Sequence, residues 1–267
     1  MDGWMQGKKG LIMGVANDAS IAWSIAKSVS DQGARLAFTY PNEAICRRVT
    51  ALTENMPSCD FITPCDVAQE GDIARTFQKV AETWGSVDFV LHAIAFSDRH
   101  QLTGKYVDTT RDNFLTTMNI SCYSLTEICR EAAPLMTDGG SILALTYVGA
   151  TRVIPHYNVM GVAKAALESS VRYLAADLGP QRIRVNAISA GAVRTAASSG
   201  IGDFHYIMNW YKNNSPLRRN VSVEEVGKAG LYFLSDLSSG VTGEVHFVDC
   251  GYNIVGMKAV DAPDLVL

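Results

Sequence analysis

Tyr157 and Lys164 stand seven residues apart in the run Tyr157-Asn158-Val159-Met160-Gly161-Val162-Ala163-Lys164, inside a stretch that otherwise reads as one long apolar helix. Seven steps make about two helical turns, which puts a phenol and an ammonium on one face, roughly 10 Å apart along the axis. That arrangement is the one required if the cation holds a cofactor while the phenol addresses a substrate. A single tyrosine on a helix is ordinarily a packing residue whose hydroxyl finds a partner, and a single lysine is ordinarily solvated. The pair gains chemical meaning from the elements that must position it.

Apolar, β-rich runs alternate with helical patterns along the sequence, which predicts a parallel sheet covered by helices on both faces. Strands are expected at 10–14, 35–40, 60–64, 87–93, 141–146, 184–188 and 243–248, and helices at 20–32, 43–55, 70–84, 111–136, 156–178, 201–212 and 223–236. These elements use the whole sequence, so residues 1–267 read as a single Rossmann-type, doubly wound α/β domain combining dinucleotide binding and catalysis. Two connections, 94–110 and 190–200, are longer than usual. Loops at the carboxyl ends of parallel strands form the ligand crevice, which makes the loop and helix over 190–212 the expected substrate cover.

Three strand ends carry nucleotide-binding signals. The first strand runs into Gly14-Val15-Ala16-Asn17-Asp18-Ala19-Ser20-Ile21, a small-residue turn that lets the backbone approach a pyrophosphate at a helix N-terminus. The turn is poorer in glycine than G-x-G-x-x-G, Asp18 repels phosphate unless it points to water, and a plain N-capped turn explains the segment equally well. After the third strand, the Asp66 carboxylate can accept a hydrogen bond from an adenine amino group or can cap a helix. His92-Ala93-Ile94-Ala95 offers small and apolar residues against which a cofactor can lie. At the end of the second strand, Tyr40-Pro41-Asn42-Glu43 contains no cation for a 2′-phosphate, which favours NADH over NADPH.

Composition narrows the classes. The 267 residues are 48% hydrophobic and 19% charged, enough for a large core, and the formal net charge of −4 leaves no footprint for nucleic acid. The six cysteines show no metal-binding spacing and read as buried reduced thiols. No secretory leader and no apolar run of spanning length is evident, so a soluble cytoplasmic protein without membrane insertion is expected. The sequons at Asn119, Asn213 and Asn220 then carry no weight.

The segments Ser141–Tyr147, Pro155–Met160 with Lys164, and Arg184–Thr195 resemble the short-chain dehydrogenase/reductase superfamily. Within it, Tyr-x6-Lys in place of Tyr-x3-Lys, and Gly14-x5-Ser20-Ile21 in place of the glycine-rich turn, resemble the divergent branch of bacterial NADH-dependent enoyl-[acyl-carrier-protein] reductases. The likeness extends over nearly the full chain.

The resemblance implies that Gly14, Ser20 and Ile21 contact the pyrophosphate side of NADH/NAD+, Asp66 and Val67 the adenine, and Ile94 the adjoining ribose. Val193, Arg194, Thr195, Ala196 and Ala197 would border the nicotinamide and phosphates, and Lys164 would bind the nicotinamide ribose. Ser97, Met160 and Phe204 would lie beside substrate, with ordinary core packing the alternative for the last two. Tyr157 is the implied catalytic phenol and Tyr147 a supporting one. The implied reaction reduces a trans-2-enoyl thioester on acyl carrier protein, within type II fatty acid synthesis. A homotetramer is implied as well, for which the apolar segment Val245–Val255 suits an interface.

A ketone-reducing relative would instead place Tyr and Lys four apart and a serine at position 144, where this sequence has Ala144. An NADH-binding scaffold without catalysis is the rival from another class. Departures from the family pattern fall at Pro41, Ala95, Ala192 and Cys250. The segment 198–209 carries only His205 as a potential cation, which directs docking of an acidic carrier to Arg152, Arg194 or Lys212.

Overall fold

Alternation at single-residue period builds the centre of the protein. In a computed structural model, which describes residues 3–195 and 204–263, β1 (Lys9–Met13) sends Leu11 and Met13 to one face of the sheet and Ile12 to the other. The strands β2 (Arg35–Tyr40), β3 (Cys59–Pro64), β4 (Phe89–His92), β5 (Gly140–Thr146), β6 (Ile183–Ala190) and β7 (Val245–Val248) complete a seven-stranded sheet. Its order is β3-β2-β1-β4-β5-β6-β7, and every pairing is parallel. The expected doubly wound α/β fold is the one found.

Parallel strands need crossovers, and helices supply them on both faces. On one face α3 (Asp72–Trp84), α5 (Ser124–Ala132) and α6 (Asn158–Leu178) bury Ile73, Phe77, Leu125, Ile128, Leu167 and Val171 against Leu11, Val90 and Ile142. On the other, α1 (Ile21–Ser30), α2 (Glu43–Thr53) and α8 (Val223–Leu234) bury Ile25, Val29, Val49, Val226 and Phe233 against Ile12, Leu91 and Leu143. Burial on both faces is why the central strands read as continuous apolar runs.

The order of strands reverses between β1 and β4, and there the backbones crowd. Gly14 has φ 102°, and a Cβ on it would fall 2.0 Å from the Ala93 carbonyl oxygen, so only glycine fits. The carboxyl ends of all seven strands share one edge, with this switch point near its middle.

The helix expected over 111–136 is not one helix. It is α4 (Arg111–Met118), a π-helical turn at Asn119–Tyr123, α5, and a 3-10 turn at Ala133–Leu135 around Pro134. The extra residue in the π turn swings Ser121 and Ser124 inward, where Ser124 Oγ donates back to the Ile120 carbonyl at 2.7 Å. The helix α7 (Phe204–Asn214) overlaps the segment expected at 201–212 and runs two residues beyond it, and the first residues of that segment lie outside those described.

All six cysteines are free thiols. Among the described residues no helix is long and apolar enough to cross a membrane, and no group of three or more His, Cys, Asp and Glu residues is placed to hold a metal ion.

Candidate active site

A cavity of about 870 Å³ opens at the carboxyl ends of β4, β5 and β6. Its walls include Ile21, Ile94, Ser97, Tyr147, Tyr157, Met160, Lys164, Val193, Thr195 and Phe204 among the residues expected at the site. Gly14 and Ser20 lie in the β1–α1 turn, Asp66 and Val67 follow β3, and Arg194 is exposed; these do not line the cavity. The parallel sheet nevertheless sets them along the same edge. Ala196 and Ala197 lie outside the described residues.

Tyr157 immediately precedes α6, in helical backbone conformation, flanked by His156 and Asn158 at φ 59° and 40°. Such backbone costs on the order of 1–3 kcal/mol per residue and persists only where surroundings enforce it. Asn158 Nδ2 donates to the carbonyls of Gln101 and Gly104 at 3.3 and 3.4 Å, tying the helix start to the long loop after β4. The Tyr157 ring packs where a Cβ on Gly149 would stand 2.4 Å from its Cδ1, so Gly149 is a positioning residue that the motif alone did not single out. The Tyr157 hydroxyl has no hydrogen-bond partner among the described residues. Burial, then Tyr147 and Glu168, push its pKa far up, so the phenol keeps its proton and acts as a donor.

Lys164 is 5% exposed, and its Nζ donates to the Leu145 carbonyl at 2.7 Å. Burial pulls its pKa down to about 8, against the upward pull of Cys122 and Glu168. Glu168, one turn further along α6 and also buried, accepts a hydrogen bond from Thr146 Oγ1 at 2.7 Å. Burial raises its pKa, and Thr146, Arg172 and Lys164 oppose that rise. The i, i+4 spacing from Lys164 was the available signal for Glu168.

Tyr147 meets Tyr157 edge to face at 5.0 Å. Its pKa rises to about 12 through burial, opposed by a hydrogen bond from Tyr211. Ser97 is held by Asn113 Nδ2 at 3.1 Å and Thr117 Oγ1 at 3.0 Å, and the Asp98 amide donates to Asn113 Oδ1 at 3.0 Å. Ser121 Oγ accepts from the Phe96 amide at 2.9 Å, donates to its carbonyl at 3.1 Å and lies 3.9 Å from Met160 Sδ. Asn113, Thr117 and Ser121 thus form a buried polar ladder, spaced by four, that holds the cavity wall at 96–98. Their spacing is visible in the sequence, but their partner loop is not.

The β1–α1 turn is suited to a pyrophosphate in an unexpected way. Ser20 does not cap α1; its Oγ accepts from the amides of Ala16 and Asn17 at 3.0 and 3.1 Å. Side chains cap α2, α4 and α8, whereas the first amides of α1, those of Ile21 and Ala22, have no partner among the described residues. Open amides at a helix start beside the cavity fit an anion. Asp18 is exposed, which relieves the repulsion expected of it.

Two expectations need correction. Asp66 does not cap a helix, because α3 starts only at Asp72; its Oδ1 accepts from the Ala68 amide at 3.0 Å in a local turn. Arg152 is not a free cation for a partner, since its guanidinium donates to the Asn253 and Val255 carbonyls. At the end of β2, Asn42 accepts from the Ile45 amide and Arg47 pairs with Glu43 at 3.5 Å, so the nearest arginine is already partnered.

Residues 14–253 match the family model described as Enoyl-(Acyl carrier protein) reductase. The chain belongs to this family. It is 60% identical over 263 residues to enoyl-[acyl-carrier-protein] reductase [NADH] 1 of Rhizobium meliloti, covering 98% of this chain and 96% of that one. It is similar to the crystal structure of the enoyl-(acyl-carrier-protein) reductase of Anaplasma phagocytophilum in complex with NAD, with 58% identity, a TM-score of 0.94 and 99% of both chains covered. It is also similar to the crystal structure of FabI from Candidatus Liberibacter asiaticus, with 53% identity, a TM-score of 0.94, and 97% and 100% of the two chains covered. The enoyl-reductase membership agrees with the family resemblance carried by the Tyr157-x6-Lys164 and Gly14-x5-Ser20-Ile21 motifs.

Proposed function

We propose that this chain is an NADH-dependent enoyl-[acyl-carrier-protein] reductase, which converts trans-2-enoyl thioesters to acyl thioesters in type II fatty acid synthesis. The observation that carries this reading is the convergence on one cavity of a protonated phenol at Tyr157, without a hydrogen-bond partner among the described residues, and a buried ammonium at Lys164. NADH supplies a hydride to the β-carbon of the substrate. The double-bond electrons shift to the thioester oxygen as an enolate, and the α-carbon then takes a proton.

Tyr157 donates a hydrogen bond to that oxygen as charge develops, and a donor of this kind contributes on the order of 3 kcal/mol. Lys164 holds the nicotinamide ribose hydroxyls, and Tyr147 supports the phenol from the adjoining wall. The open amides at Ile21, with Gly14 and Ser20 shaping the turn, meet the pyrophosphate. Asp66 and Val67 border the adenine, Ile94 the adjoining ribose, and Val193 to Ala197 the nicotinamide side. Ser97, Met160 and Phe204 border the acyl chain, and the segment 190–212 covers it.

The acyl carrier protein is acidic in this reading and docks near Arg194 and Lys212, both exposed. We infer a homotetramer in the cytoplasm. The tail residues Ile254, Met257 and Val260 are 74%, 85% and 106% exposed, apolar surface suited to a subunit contact. The free thiols suit a reducing compartment.

The test mixes the protein with NADH and crotonyl thioester and follows nicotinamide absorbance. Steady oxidation that depends on the thioester is expected. Bound NADH without oxidation would favour the scaffold reading instead.

A further inference from the structure

We infer that Tyr211 is a positioning residue for Tyr147: its hydroxyl fixes the direction in which Tyr147 presents its own proton to the cavity. The inference rests on the supporting role given to Tyr147 above. Tyr211 lies on α7 and is 2% exposed, with its OH donating to the Tyr147 oxygen at 3.0 Å. A phenol has one proton. Tyr211 directs its proton at Tyr147, so the Tyr147 oxygen accepts there and its own O–H turns elsewhere. Tyr147 is only partly buried and lines the cavity, which is the side left for that proton. Accepting a bond also polarises the Tyr147 O–H and strengthens it as a donor.

Tyr211 is itself held rigidly. Its ring stacks on Tyr252 with centroids 3.7 Å apart and planes 23° apart. Tyr252 sits in a short turn whose amides are gathered by Asp249, which accepts from Gly251 N at 2.9 Å and Asn253 N at 2.7 Å. Asp249 follows directly on β7, so a line of contacts runs from the sheet edge through Tyr252 and Tyr211 to Tyr147, and by ring contact to Tyr157. Burial and the Asp249 charge both oppose ionisation of Tyr211 and Tyr147, which keeps the two protons in place. The same helix borders the cavity through Phe204, so its placement is transmitted to the catalytic tyrosines.

Tyr211→Phe keeps the ring, the stack and the volume and removes only the donated proton. Steady-state kinetics with NADH and crotonyl thioester are compared among the unsubstituted chain, Tyr211→Phe, Tyr147→Phe and the double variant. The expected result is a roughly three- to tenfold fall in kcat for Tyr211→Phe, the consequence of one lost hydrogen bond, with NADH affinity unchanged. In the Tyr147→Phe background the same change should have less than about a twofold effect, because a residue acting through another is silent once that other is gone. A full effect in both backgrounds, as a purely structural role would give, overturns the inference, as does an unchanged kcat in Tyr211→Phe. If the unsubstituted chain itself fails to oxidise NADH with the thioester, the enoyl-reductase reading falls and takes this inference with it.

Discussion

At the scale of single residues, Tyr157 and Lys164 divide the work, and substitutions separate their parts. Tyr157→Phe should lower kcat about a hundredfold while leaving NADH affinity intact, whereas Lys164→Ala should weaken NADH binding as well; cofactor titration by fluorescence beside steady-state kinetics distinguishes them. Equal affinity losses would refute the division. Lys164 also carries a stability consequence. Burial lowers its pKa to about 8, below the ordinary value of 10.5, so between these pH values the unfolded chain binds the extra proton. Stability attributable to this residue therefore rises with pH across that window and is lowest below it. Lys164→Met removes a buried charge and should stabilise the unliganded protein at pH 7 by roughly 1–3 kcal/mol, with the gain shrinking toward pH 10.5. Urea unfolding at pH 7 and pH 10 measures it, and a loss of stability at pH 7 would contradict the account.

At the scale of elements, the decisive device is the polar ladder Asn113, Thr117 and Ser121, which holds loop 96–98 against the cavity. Ser121→Ala frees the Phe96 backbone and should raise the KM for the thioester about three- to tenfold, with NADH affinity spared and about 1 kcal/mol of stability lost. An unchanged KM would mean that the loop holds its shape without the ladder. The strands and most helices were legible in the sequence, because hydrophobic period and turn residues are local signals. The break at Asn119–Tyr123 was not, since a π turn follows from where Ser121 and Ser124 find partners across space, the Phe96 backbone and the His92 ring. The Tyr157 and Lys164 pair was legible through its spacing. Gly149 was not, because its need arises from the Tyr157 ring that packs on it. Tyr211 and Tyr252 were not either, since their stack joins segments that are far apart in the chain.

At the scale of the whole molecule, one sheet with both faces covered buries several of the thiols. Cys65 and Cys129 have pKa values raised to about 11 and 12 by burial, and Cys122 is raised too, so none is a ready thiolate at neutral pH. A thiol reagent should modify these three only as fast as the molecule opens, and partial urea should accelerate their labelling together; rapid labelling of native protein would show a looser core. The grip of Arg152 on the Asn253 and Val255 carbonyls joins positions 101 and 103 residues apart, just ahead of Tyr157. On the ribosome, the segment leading into Tyr157 therefore emerges long before the carbonyls that anchor it. Tyr252, which stacks on Tyr211 and through it reaches Tyr147, belongs to the same late stretch, so the brace behind the site tyrosines is complete only once that stretch has been made.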